Sequence, residues 1–212
     1  MNSLSQTTFV ELMTSKLTLA KSDFDELKVY GVQFDNLVLL EKKLQEYTEL
    51  EADEHYMVMY KESNHEKRAI KARIMKNIKA LKLNLQLKFG KDTAKSILFY
   101  IKGIATAGDK ELINTIERVL AEINIFDETI KNSPFIIGIA AELAADKPLF
   151  IAKADETERN RMLRKDKTEY RNGLKDKIYN EVTTVCEIGK AIWKTRDMKK
   201  FQAYVMFPGQ GK

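Results

Sequence analysis

Proline and glycine are scarce in this chain, three and nine among 212 residues, and neither occurs between Phe34 and Leu87. Breakers this rare leave little room for a loop-rich fold, and the abundance of Ala, Leu, Lys, Glu and Met favours helix almost throughout. A single cysteine, Cys186, excludes an internal disulfide and any cysteine-based zinc site. Two histidines, His55 and His65, leave little scope for histidine-rich metal chemistry. No run of ~18 apolar residues exists, so no membrane insertion is expected. Residues 1–20 lack a basic stretch followed by an apolar one, so no secretory signal is read, and the expected location is cytoplasmic. What the chain does have is 44% hydrophobic and 32% charged residues. That balance excludes disorder as the main state, and a chain of this length can bury a core without cross-links.

The hydrophobic periodicity places helices. Ile70, Ile74, Ile78, Leu81 and Leu85 occur at steps of three and four and share one face. The breaker-free span from Phe34 is too long for an ordinary globular helix. The polar cluster from Lys61 to Glu66 is the natural turn of a helical hairpin, with Ser63 or Asn64 as cap, although a continuous helix remains open. Gly90 is expected to stop the second arm. Asp92 reads as the cap of a short helix through Tyr100 and Ile101. Asp109 opens another helix with Leu112, Ile113, Ile116, Val119, Leu120 and Ile123 on its apolar face. Ser133-Pro134 marks a further start. Pro148 is expected to kink or break the helix there, and a last long helix runs from about Asp155 to Lys194, weakened locally by Gly173 and Gly189. The expected fold class is all-α: an elongated four-helix bundle of two helical hairpins, with short accessory helices. Residues 1–103 form one half and 109–206 the other within one compact unit, with a disordered tail, 207–212.

The halves resemble copies. A shift of 104 positions sets Ile70, Ile74, Ile78 and Leu81 against Leu174, Ile178, Val182 and Val185. Phe89 then meets Trp193, and Ile97, Tyr100 and Ile101 meet Phe201, Tyr204 and Val205. Any two amphipathic helices can be slid into phase, so the argument for internal duplication rests on the shared order of helix, aromatic, break and short helix. Charge repeats with the same period. Residues 1–60 hold five basic and eleven acidic side chains, 61–102 twelve and three, 103–158 five and eleven, and 159–212 fourteen and six. Each half is an acidic segment and then a basic one, and such segments lie favourably side by side, fixing register more than stability.

No constellation points to catalysis, and neither a catalytic residue nor a cofactor is assigned. Glu62 and His65 have the Glu-x-x-His spacing of carboxylate-bridged di-iron bundles, but a 104-residue shift puts Asp166 and Glu169 there and the second histidine is missing. A solvated turn is the expected reading, and no metal is expected. His55 reads as a surface histidine, and Cys186, beside Val185 on an amphipathic helix, as a buried structural thiol with no histidine to activate it. The terminal Gly209 to Lys212 has no strand before it and no helix after it, so it is not a phosphate loop. The segment from Ile136 to Glu142 reads as core, with an oligomer contact as the alternative.

The basic runs carry the remaining candidates: Lys67, Arg68, Lys71, Arg73, Lys76, Lys79 and Lys82 in one, and Arg159, Arg161, Arg164, Lys165, Lys167 and Arg171 in the other. With Tyr56, Tyr60 and Tyr170 near them and a pI near 9.0, they suit phosphate contact, while acidic flanks suit a solvated or partner-facing role.

The stretch Val185-Cys186-Glu187-Ile188-Gly189-Lys190-Ala191-Ile192-Trp193, and after it Lys199-Lys200-Phe201-Gln202-Ala203-Tyr204-Val205, resembles the C-terminal portion of uncharacterised bacterial all-helical proteins. The resemblance covers about forty residues and implies a bacterial helical bundle; that group has no assigned activity, so it carries no functional residue across. The expectation is a non-enzymatic structural or interaction protein, a homo-oligomer or a binder of another protein, that self-assembles through complementary acidic and basic faces. The alternative is a nucleic-acid-binding accessory protein using the basic helices 67–82 and 159–171.

Overall fold

The computed structural model describes residues 5–90, 106–126 and 128–207. The fold is all-α, with no strand among the described residues. Helix α1 spans Gln6–Ser22, the short α2 Phe24–Leu27, α3 Phe34–Glu49 and α4 Asp53–Phe89. After the undescribed residues come α5, Asp109–Ile125, the short α6, Glu128–Lys131, α7, Pro134–Trp193, and α8, Met198–Ala203. Local chemistry sets several ends. Ser5 caps α1 by accepting from the Thr8 amide at 3.1 Å. Gly90 comes after Phe89 at φ +88°, where a side chain would be strained, and ends α4 as its position suggests. Asp197 caps α8 through the amides of Lys199 and Lys200.

The chain folds into two compact units, Met1–Asp53 with Lys165–Lys212, and Glu54–Arg164. They are not the consecutive halves 1–103 and 109–206: the first unit takes residues from both ends of the sequence and the second its middle. Each unit gathers three long helical segments, whereas the sequence suggests two hairpins in one four-helix bundle.

In the first unit, α1 and α3 pack with residues 165–193 of α7. Phe9, Met13 and Leu17 meet Leu37, Leu40, Leu44 and Tyr47, and Leu174, Ile178 and Val182 complete the core. Phe9 and Tyr47 stack edge to face with centroids 5.3 Å apart. In the second unit, α4, α5 and residues 134–164 of α7 enclose Ile74, Ile78, Leu81 and Leu85, with Leu112, Ile116, Val119 and Ile123, and Ile136, Ile139, Leu143 and Phe150. Each such side chain contributes about 1.5–3 kcal/mol on full burial, so these stripes drive folding. The stripes on α4 and α5 are the ones the periodicity picks out, with Ile70, Ile113 and Leu120 packed at their margins.

Two expected breaks are absent. Residues 61–66 lie within α4 and form no turn. Ser63 is buried there; its hydroxyl bonds to the Tyr60 carbonyl and accepts from Asn160 of α7, so its polarity is satisfied inside a continuous helix. Pro148 likewise sits inside α7, which starts at Pro134 rather than near Asp155. Its missing N–H would have bonded the Ala144 carbonyl, and both residues are exposed, so water can satisfy that oxygen. The short helix expected from Asp92, its Tyr100, and the tail 208–212 lie outside the described residues.

Candidate functional site

In the second unit, the basic run of α4 divides by helical face. Lys67 pairs with Asp109 at the start of α5 at 2.8 Å, and Lys71 donates to the Ala107 carbonyl at 2.6 Å. Arg73 bonds Asp146 of α7 through Nε at 2.9 and 2.8 Å and through Nη2. The Asp146 bond is the main cause holding the Arg73 guanidinium above its ordinary range. Asp146 is buried, so Arg73 is the counter-charge it requires. One turn on, Asn77 donates to Glu142 at 2.8 Å. These candidates are staples between helices.

Arg68, Lys76 and Lys79 are exposed and make no ion pair or hydrogen bond among the described residues. From Arg68, steps of eight and eleven residues keep Lys76 and Lys79 within a quarter turn of one another. Lys82 is half-buried. On α7, Arg161 pairs with Glu158 one turn before it, at 2.8 and 2.6 Å, while Arg159 and Arg164 make no such contact among the described residues.

The last three candidates, Lys165, Lys167 and Arg171, belong to the first unit, and Lys167 is exposed. Lys165 lies 3.8 Å from Glu169 with both side chains exposed. Arg171 donates to the Leu50 carbonyl at 3.2 Å and approaches Asp53 at 3.8 Å, closing the end of α3. The thirteen charges are therefore divided between the two units, and several are engaged within them.

Glu62 and His65 are both exposed on α4, and His55 is exposed with its ring edge-on to Tyr56. No group of three potential metal ligands occurs among the described residues. Ile136 and Ile139 are core, while Ile137 faces outward.

A buried polar cluster lies in the first unit around Lys16 and Asp23, two residues that sequence reading passes over. Lys16 donates to the carbonyls of Ala203 at 2.5 Å and Val205 at 2.8 Å, at the end of α8 and just past it. The buried Asp23 accepts from Lys200 at 2.7 Å and from the Tyr204 hydroxyl at 3.3 Å. Lys200 also sits 4.0 Å from the Trp193 ring centroid, a cation–π contact. Burial lowers the Lys16 amine from its usual range, partly offset by Cys186. Burial pushes the Cys186 thiol up to about 11, with Lys16 opposing. Tyr204 is raised by burial first, then by the Asp23 charge and the bond to it. A thiol so placed is protonated at neutral pH and is no nucleophile; the cluster fastens the C-terminal segment onto α1 and α7. A signal for it exists in the sequence: Lys16 occupies a core position of the stripe Phe9, Met13, Lys16, Ala20, where a cation must find buried acceptors.

No helix of the described residues is long and apolar enough to cross a membrane. Comparison of the chain with protein-family models, curated proteins and solved structures finds no match.

Proposed function

We propose that the chain is a non-enzymatic helical interaction protein that associates with further copies of itself through charges its own units leave unpaired. The observation that carries this reading is the distribution of those charges. The second unit contains 20 basic and 15 acidic residues, and the first contains 16 of each. Arg68, Lys76, Lys79, Arg159 and Arg164 are cations of the second unit without an ion pair among the described residues. In the first unit, Glu11, Asp35, Asp166 and Asp176 are exposed carboxylates without an ion pair among the described residues. Opposite charges left open on one molecule suit association between copies and set its orientation and rate. Leu87 and Ile125, 80% and 77% exposed, add apolar surface of the kind protein partners cover.

Light scattering over a concentration and salt series tests the proposal. A mass above 24.4 kDa at low ionic strength, falling as salt screens the contacts, is the expected outcome. A monomer at every concentration and salt level removes it. The exposed cations also favour a second reading, nucleic-acid binding, in which complex formation weakens steeply with salt. The engagement of Lys67, Lys71, Arg73 and Arg171 within the units weighs against it. Absence of a gel shift with RNA and DNA at low salt eliminates it.

A further inference from the structure

We propose that the chain is two copies of one three-helix repeat that have exchanged their last helices, so that each repeat is the structural partner of the other. The copies run from 6 to 89 and from 109 to 193. Their elements match in order and length: α1 and α5 have 17 residues each, and α2 and α6 four each. The third element is α3, matched by the first part of α7, and the last is α4, matched by the remainder of α7. α4 ends at Phe89 and α7 at Trp193, both partly buried aromatics packed on a core.

Several buried positions across these elements keep nearly the same offset. Phe9, Met13, Ala20 and Leu27 correspond to Leu112, Ile116, Ile123 and Ile130 at a separation of 103. Leu40 and Tyr47 correspond to Leu143 and Phe150 at the same separation, and Ile74 and Ile78 to Ile178 and Val182 at 104. Sliding one amphipathic helix against another can match one stripe. It does not match four successive elements, one of them a four-residue helix in each copy, at offsets that differ by a single residue.

The units cut across these copies. The first unit takes α1 and α3 from one copy and the last helix of the other, and the second takes α5, the first part of α7 and α4. Electrostatics accommodates this arrangement. Within each copy an acidic segment precedes a basic one, and exchange sets the acidic helices of one copy against the basic helix of the other. Lys67 on α4 bonds Asp109 in that sense at 2.8 Å, while Lys43 on α3 bonds Glu181 of α7 at 2.7 Å and Lys153 on α7 lies 2.5 Å from Glu66 on α4 in the reverse sense. All three pairs join one copy to the other. The exchange operates within one chain and does not rest on the association proposed above.

A protease recognition sequence inserted between Gly90 and Thr106 and cut to completion tests the exchange. Each fragment then lacks the helix that completes its own core. The expected result is a one-to-one complex eluting at the mass of the intact chain and separating only in denaturant. Zero-length carbodiimide coupling should join the fragments at Lys43–Glu181, Lys67–Asp109 and Lys153–Glu66, read by peptide mass spectrometry. The same coupling on the uncut chain gives the map without the insertion. Fragments that elute apart without denaturant overturn the proposal. So does a map confined to pairs inside one copy, such as Lys147–Glu117 and Lys21–Glu41.

Discussion

Gly189 and Gly173 lie on the same helix and in the same unit, yet replacing each with alanine should change stability in opposite directions. A Cβ at Gly189 would stand 2.5 Å from Cδ1 and Cε1 of Tyr204 and 2.7 Å from its Cγ. Ordinary contact requires the ring to retreat by roughly 1 Å. Tyr204 is fully buried, and its hydroxyl reaches Asp23 at 3.3 Å, already near the limit of a hydrogen bond. Overpacking of this kind costs ~1–3 kcal/mol, and the lost hydrogen bond adds about 0.5–1.5 kcal/mol. The gain in helix propensity from Gly to Ala returns about 1 kcal/mol, so Gly189→Ala should lose about 0.5–3.5 kcal/mol net. Gly173 has nothing within 4 Å of its Cβ position and is exposed. Gly173→Ala should therefore gain up to about 1 kcal/mol. Trp193, the only tryptophan, lies in the same unit and reports its unfolding by fluorescence in urea. Combining Gly189→Ala with Tyr204→Leu should cost less than the two changes summed, because the clash is shared. If both alanines stabilise alike, or if the double variant is simply additive, close packing of Tyr204 on α7 is refuted.

Lys16→Met should speed hydrogen exchange across 198–207, since the Ala203 and Val205 carbonyls lose their buried donor; unchanged protection would contradict its anchoring role. Cys186 should resist a thiol reagent at pH 8 until denaturant is added, and rapid native labelling would place the thiol elsewhere. Because its pKa is about 11 folded against 9.0 for the free thiol, the unfolded chain binds fewer protons between those values, so the Cys186 contribution to stability falls as pH rises through that window. Comparing urea midpoints at pH 8 and above 10 for the native chain and Cys186→Ala checks the sign, with the alanine variant showing the shallower alkaline loss. Arg73→Ala should lower the unfolding midpoint more than Arg68→Ala, because it strands the buried Asp146, and Asp146→Ala should restore part of the loss in the Arg73→Ala background; equal effects of the two arginines would show that the bond carries nothing.

The apolar stripes were legible in the sequence because burial on a helix obeys a local rule. Ile74, Ile78, Leu81 and Leu85 on α4, and Leu112, Ile116, Val119 and Ile123 on α5, all face a core. Helix ends were less legible where the deciding contact is remote. Ser63 and Asn64 look like a turn until Asn160, 97 residues from Ser63, supplies its side-chain amide. Pro148 looks like a break until its helical face proves exposed. The basic candidates show the same limit. Periodicity places Lys67, Lys71, Arg73, Lys76 and Lys79 along one helix. It cannot tell that Asp109, the Ala107 carbonyl and Asp146 will engage the first three and leave the last two without ion pairs among the described residues.

Choice of helix partner is the quantity that periodicity leaves most open. A helix stripe of Leu and Ile docks on any similar stripe at about the same gain per area. Under the proposed exchange, the last helix of each repeat would meet two apolar grooves of similar worth, its own and that of the other copy. Charge is the usual arbiter, although exposed pairs contribute only ~0.2–1 kcal/mol each. Here both grooves are acidic and both last helices are basic, so the sign of charge does not separate the two choices. Specific pairs and chain geometry must do so. Lys43–Glu181 and Lys67–Asp109 are such pairs. The other determinant is the connection before the last helix. In the first copy the backbone leaves helix at Leu50 with ψ 130° before α4 begins at Asp53. In the second copy the matching stretch, 154–156, stays helical inside α7. A last helix that continues directly from the one before it cannot fold back against it. That continuity is what favours the proposed exchange over packing within each repeat.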